Sequence, residues 1–202
     1  LVLDNLAQLA MQSAVLNRVA LRTTHTSTGD NNPFIIYQPS DVAAQNDALV
    51  IDGNGHITMS KTPAFLVTKS TAQSSIPVNT NLVITFDTER FDQNADFSSN
   101  TFTAPVTGRY QFNVIAYTAD APNDLAYFTI RLVTSNREYY SIFDPGQAGL
   151  SGANAYHTLH INVLADMDAN DTAFVNCYTP SGTAGTKVDG SHVSSFSGFL
   201  AC

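Results

Sequence analysis

From Pro63 to Cys202 the chain alternates apolar and polar residues. Tyr110, Phe112, Val114 and Ala116 are separated by Arg109, Gln111 and Asn113, and the same period of two recurs in Phe128, Ile130 and Leu132. Successive side chains of a strand point to opposite faces, so this pattern predicts strands with one buried face and one wet face. The candidates are AFLVTK (64–69), NLVITFDT (81–88), TFTAPV (101–106), GRYQFNVIAYTA (108–119), LAYFTIRLVTS (125–135), REYYSIFD (137–144), AYHTLHINVLA (155–165), DTAFVNCYT (171–179) and SSFSGFLAC (194–202). Many short strands parted by turn residues make a sandwich or barrel, and about eight to ten of them suit a jelly roll. The predicted fold class is all-β.

The first 22 residues, LVLDNLAQLAMQSAVLNRVALR, follow another period. They hold no Gly or Pro, and Val2, Leu6, Leu9, Ser13, Leu16 and Ala20 recur at alternating spacings of four and three. That is a heptad seam on a good helix-forming sequence. Ala10, Met11, Val15 and Val19 make other faces apolar too. Such a helix needs a partner, either copies of itself or a larger assembly. Residues 23–62 read as a polar linker and a connector. PFIIYQP is one short strand between prolines, and ALVIDGNGHITMS is a hairpin whose Gly and Asn residues supply positive φ at the turn. Three segments follow: 1–22, 23–62 and a head over 63–202. No longer repeat and no Gly-X-Y tract occurs.

Composition narrows the function. Charged residues make up 13% of the 202, below the usual quarter or so of globular chains. Hydroxyl and amide side chains fill the gap, which suits an extracellular or particle-surface β protein. Nine basic residues stand against 17 acidic ones, and none of the nine form a patch. A phosphate-backbone binder needs clustered cations, so nucleic acid is set aside. No apolar run reaches about 18 residues, so membrane insertion is not expected. Leu1 is not an initiator Met, so the chain reads as a processed product or a fragment. Cys177 and Cys202 form no C-x-x-C; they read as two thiols, with a disulfide between them left open.

No enzyme is expected. His25, His56, His157, His160 and His192 are dispersed, and no Ser-His-Asp spacing, phosphate loop or paired-carboxylate motif stands out. His157 and His160 lie three apart on a predicted strand, so they face opposite sides and cannot chelate one metal together. No cofactor is expected beyond a calcium ion at Asp120 and Asp124, since carboxylates supply the oxygens that this hard cation takes. The loop FDPGQAGLSGANAY (143–156) is Gly-rich and suits adaptable recognition, with Gln147, Asn154 and Tyr156 as its candidate contacts.

The stretch NTFTAPVTGRYQFNV (100–114) has no acid, His or Cys, so its residues are architectural. Pro105 lacks an N–H and suits a strand end or edge. Gly108 takes backbone angles at a corner that other residues resist. Tyr110 and Phe112 share a face and fill a core, at roughly 25 cal/mol per Å² of apolar area buried. With Phe86, Asp92, Phe97 and Phe102, this stretch resembles the signature of the C1q-like domain, the jelly roll shared with the tumour necrosis factor superfamily. The family phrase is roughly G-x-F-x-A/C-P-V-x-G-x-Y-x-F. The last strand, SSFSGFL with Gly198 and Phe199, resembles the family's close. The pair Leu159–Val163 and Asp171–Val175 resembles its strand, acidic turn and strand. The gap from Phe97 to Phe102 is shorter than the family pattern, and Asn100 stands where Gly is common.

The resemblance implies a C1q/TNF-like jelly-roll head that forms a homotrimer, with the apolar helix as its root. Some such trimers bind calcium, in keeping with Asp120 and Asp124. The lead-in ALVIDGNGHITMSKTPAFLV (48–67) resembles the segment before C1q-like heads in bacteriophage tail fibres. The expected function is a trimeric virion surface protein, a fibre or knob. Its helix would dock to other virion proteins, and its head would recognise a host-surface glycan or protein or decorate the particle. The alternative is a secreted, extracellular C1q-domain lectin or pattern-recognition protein.

Overall fold

The computed structural model describes residues 9–10, 20–23, 34–40, 44–52, 54–148, 156–190 and 194–202, with side chains from Leu49 onward. The chain divides into two compact units, Leu1–Thr62 and Pro63–Cys202.

In the first unit, β1 (Leu9–Ala10), β2 (Ala20–Thr23), β3 (Phe34–Ser40), β4 (Ala44–Ile51) and β5 (Ile57–Thr58) pair antiparallel in that order. A continuous helix over 1–22 is therefore corrected: Leu9–Ala10 and Ala20–Thr23 are strands, and the rest of that segment lies outside the described residues. Ala20–Thr23 pairs along Phe34–Tyr37 of the Phe-Ile-Ile-Tyr strand. Helix propensity is a weak prior, and a β-branched and aromatic partner outweighs it. The β4–β5 turn is held by Asp52. Its carboxylate accepts the N–H groups of Asn54 (2.8 Å) and His56 (2.9 Å) and meets His56 Nδ1 at 2.8 Å, while Gly55 takes φ 85°.

The second unit is a two-sheet sandwich of β6 (Ala64–Thr68), β7 (Leu82–Val83), β8 (Thr88–Asp92), β9 (Phe97–Ser98), β10 (Thr101–Thr103), β11 (Gly108–Ala119), β12 (Phe128–Thr134), β13 (Glu138–Phe143), β14 (His157–Met167), β15 (Thr172–Tyr178), β16 (Lys187–Val188) and β17 (Ser195–Leu200). One sheet runs β13-β12-β15-β10-β9, with β7 beside β15; the other runs β14-β11-β17-β6-β8, with β16 beside β11. Strands distant in sequence are neighbours in both sheets, as in a jelly roll, and the described residues contain no helix.

Alternation builds the core. Tyr110, Phe112, Val114 and Ala116 point inward from β11, and Phe128, Ile130 and Leu132 from β12, each 0–1% exposed. At one end the rings pile up. Phe65 stacks on Phe97 and Phe102, both at 5.0 Å, and stands edge-on to Phe196 at 4.9 Å. Offset and edge-on contacts suit the ring quadrupoles, adding about 0.5–1.5 kcal/mol per pair beyond burial. Strand β8, Thr-Glu-Arg-Phe-Asp, is exposed or half-buried throughout, so it carries no period-two signal.

Candidate functional site

The corner between β10 and β11 carries most of the sequence signature. Ala104 is buried; its N–H donates to the Asp171 carbonyl and its carbonyl accepts from Asn170 N–H. Pro105 follows β10, exposed, where a missing N–H costs nothing. The chain then turns back, and the Tyr110 hydroxyl donates to the Val106 carbonyl at 2.8 Å. One side chain thus fills the core with its ring and pins the corner with its hydroxyl. Gly108 corrects the expectation made for it, because its backbone is not in the left-handed region. A Cβ there would lie 2.6 Å from Leu200 Cδ1 and 2.9 Å from the Cys202 carbonyl oxygen, so the glycine admits the C-terminal strand. Left-handed angles fall instead on Ser99 (φ 51°) and Asn100 (φ 63°). Asn100 tolerates them, and its Oδ1 accepts Phe86 N–H at 2.7 Å.

The two sheets present unlike outer faces. On β14-β11-β17-β6 the outward residues fall in rows: Leu164, Gln111, Phe199, Ala64; Asn162, Asn113, Ser197, Leu66; His160, Ile115, Ser195, Thr68. Leu164 is 54% exposed and Phe199 46%; no charged residue belongs to these three rows, though Thr68 is buried and its hydroxyl accepts from Arg90 Nε at 3.1 Å. Phe199 is thereby corrected from a core residue to an outward one. Phe196 and Gly198 take the inward positions of β17, and a period of two leaves Phe199 on the other face.

On β13-β12-β15, Arg131 lies opposite Tyr140 on one side and Asn176 on the other. Its guanidinium sits 5.3 Å from the Tyr140 ring centre and 4.7 Å from that of Tyr178. Its Nη1 donates to Asn81 Oδ1 at 3.0 Å and faces Glu138 at 3.9 Å.

The loop residues are engaged locally. Lys187 Nζ pairs with Asp120 at 3.2 Å and Asp189 at 3.6 Å, and the hydrogen bond to Asp120 holds the ammonium above its ordinary pKa. Both oxygens of Asp124 accept from Thr183, the hydroxyl at 2.7 Å, which holds this carboxyl below its usual range. Among the described residues no three His, Cys, Asp or Glu gather as a metal-binding group. Gln147 N–H caps Asp144 at 3.1 Å, Tyr156 is 54% exposed and stacks on Tyr117 at 5.5 Å, and Asn154 lies outside the described residues. Cys177 and Cys202 are both free. Burial pushes the Cys177 thiol up to about 12, so it is inert, while Cys202 is exposed.

A family model for the C1q domain matches residues 64–201. The chain belongs to the C1q domain family. Among solved structures it is similar to the globular domain of zebrafish complement 1qA protein, with TM-score 0.52 and 16% identity over 70% of this chain and 98% of that one. Murine APRIL at pH 8.5 is similar at TM-score 0.47 and 12% identity, over 69% of this chain and 98% of that one. No curated protein matches the chain.

Within the C1q domain, Phe86, Phe102, Tyr110 and Phe112 come together in the core, with half-buried Phe97 packed on it and Gly198 making room between rings. The Arg131 group was not foreseen. Its members lie on three strands and, for Asn81, just before β7, and only the pairing of those strands, invisible in the sequence, joins them.

Proposed function

We propose that this C1q domain is a recognition head that works as a homotrimer and performs no catalysis. The observation that carries the reading is the outward face of β14-β11-β17-β6. Leu164, Phe199 and Ile115 are exposed there at 54%, 46% and 37%, among neutral Gln111, Asn113 and Ser197. The three rows hold no charged residue, with Arg109 and Asp166 in the next row at their edge; such rows are cheap to dehydrate, and three copies that cover them together avoid leaving apolar side chains in water. On the other sheet the charged group, Arg131 with Glu138, stands amid the outward rings rather than in an end row, so that face is the poorer candidate for a dry contact. A trimer also multiplies weak sites by avidity.

Within this reading the head sits on a virion as a fibre tip or knob, carried by the unit Leu1–Thr62 and facing a host surface. Support for that setting is the β4–β5 hairpin directly before Pro63-Ala64-Phe65, which resembles fibre lead-ins. The secreted recognition protein remains the alternative setting for the same head.

Light scattering on a sizing column tests the assembly. The full chain and residues 63–202 are both expected at three times their chain mass, and Phe199→Glu with Leu164→Glu is expected to give a folded monomer. Monomeric wild-type chains at micromolar concentration would sink the reading. Binding of the trimer to intact bacterial cells favours the particle setting, and binding to animal glycoproteins instead favours the secreted one.

A further inference from the structure

We propose that the outer face of β13-β12-β15 is a binding site for a neutral oligosaccharide, with the Tyr140 ring as its stacking platform. The inference rests on the recognition role above and names the site and ligand class. Tyr140 is 59% exposed, and its hydroxyl donates to the Glu138 carboxylate. The Arg131 guanidinium lies between its ring and that of Tyr178. Tyr178 is fixed in turn, since its hydroxyl donates to Asn79 Oδ1 at 3.2 Å and its ring meets Tyr127 at 6.5 Å. Two aromatic rings are therefore immobilised before any ligand arrives, and a ligand does not have to order them on binding.

The chemistry around the rings fits a sugar. A pyranose offers a flat face of C–H bonds to an aromatic ring and a rim of hydroxyls to polar neighbours. Ile142 and Val83, 60% and 40% exposed, extend the apolar surface, while Glu138 and Asn81 supply acceptors at its edge. Beneath this surface a donor and an acceptor are unpartnered. Arg131 Nε and Asn176 Oδ1 are both buried, both lack a hydrogen bond, and their residues stand opposite in register. Asn176 is only 7% exposed. Buried polar atoms without partners are rare, and this pair lies directly under the outward rings.

Charge selects among saccharides. Arg131 already faces Glu138 and donates to Asn81, and the chain carries a formal net charge of -8. Sialylated and sulfated glycans meet that field unfavourably, whereas neutral pyranosides do not.

The test uses the full chain on a printed array of defined neutral, sialylated and sulfated oligosaccharides, followed by calorimetry with the strongest neutral binder. Wild type is expected to bind at least one neutral oligosaccharide. Tyr140→Ala and Tyr178→Ala are expected to weaken it at least tenfold, and Tyr140→Phe, which keeps the ring, to stay within about threefold. Light scattering and a thermal melt on each variant separate lost binding from lost folding. No neutral ligand, a preference for acidic glycans, or binding indifferent to Tyr140→Ala in a folded protein overturns the proposal. A trimer that binds no sugar ends this inference and leaves the assembly standing; a monomer that binds through Tyr140 does the reverse.

Discussion

Gly198→Ala adds one methyl group to the most crowded point of the sandwich. In register, Gly198 lies between Phe112 on β11 and Phe65 on β6. An added Cβ would stand 2.5 Å and 2.7 Å from Phe112 Cδ1 and Cε1 and 2.8 Å from Phe65 Cε1. Neither ring has room to retreat. Phe112 is fully buried, and Phe65 is held by Phe97, Phe102 and Phe196. Overpacking of this kind costs about 1–3 kcal/mol. Replacing glycine outside the left-handed region returns about 0.4–1 kcal/mol by narrowing the unfolded ensemble. At the middle of both ranges the net is about 1.3 kcal/mol of lost stability, or roughly 3–5 °C in Tm for a unit of this size. Circular dichroism melts at one fixed protein concentration measure it, since self-association makes Tm concentration-dependent. Phe112→Leu removes ring atoms at the collision, so the double variant is expected to be less destabilised than the sum of the singles by at least about 0.5 kcal/mol. A Gly198→Ala protein that melts at or above wild type refutes the reasoning, and additive singles refute the collision with Phe112.

Tyr110→Phe deletes the hydroxyl that pins the Val106 carbonyl and is expected to cost about 0.5–1.5 kcal/mol in urea unfolding; no change would mean that packing alone sets the corner. His157 stacks on Phe143 at 4.3 Å, and burial, then the neighbouring His160, lowers its pKa. The unfolded state then takes up the proton first, so stability is full above the unfolded value of about 6.5 and falls as pH drops through it toward the folded value. His157→Gln is expected to flatten the fall in Tm between pH 7 and 5, and an unaltered slope counts against the assignment. Calcium would have to displace Lys187 from Asp120 and Thr183 from Asp124, so millimolar Ca2+ or EDTA is expected to leave Tm unchanged; a rise of several degrees with Ca2+ would show that the loop rearranges around the ion.

Legibility in the sequence tracks how local the physical cause is. Strand β11 could be read because one stretch of twelve residues carries its own alternation, from Gly108 to Ala119. The Ala-Pro-Val corner could be read because Pro105, Val106 and Tyr110 lie within a few residues and Tyr110 bonds back to Val106, although the reason for Gly108 is the distant Leu200 and Cys202. Strands β8 and β9 escaped notice because they are short, mostly exposed edge segments that need no alternation. The helical period of residues 1–22 misleads in the opposite way at the positions described, Leu9–Ala10 and Ala20–Thr23. A clear local pattern gave way where Ala20–Thr23 met a stronger β partner further along the chain.

Phe199 shows why a site is harder to read than a fold. Two residues of β17, Gly198 and Phe199, carry the family resemblance side by side, yet the pleat sends them to opposite worlds. Gly198 must be small because rings from two neighbouring strands close over it. Phe199, next to it, is large and exposed. No packing demand among the described residues of the unit explains a phenylalanine there, and the trimer proposed above would supply one. The same logic applies to Tyr140 on the other sheet. Stability within one chain selects the inward residues, and it is the outward aromatics that stability leaves unexplained which point to partners.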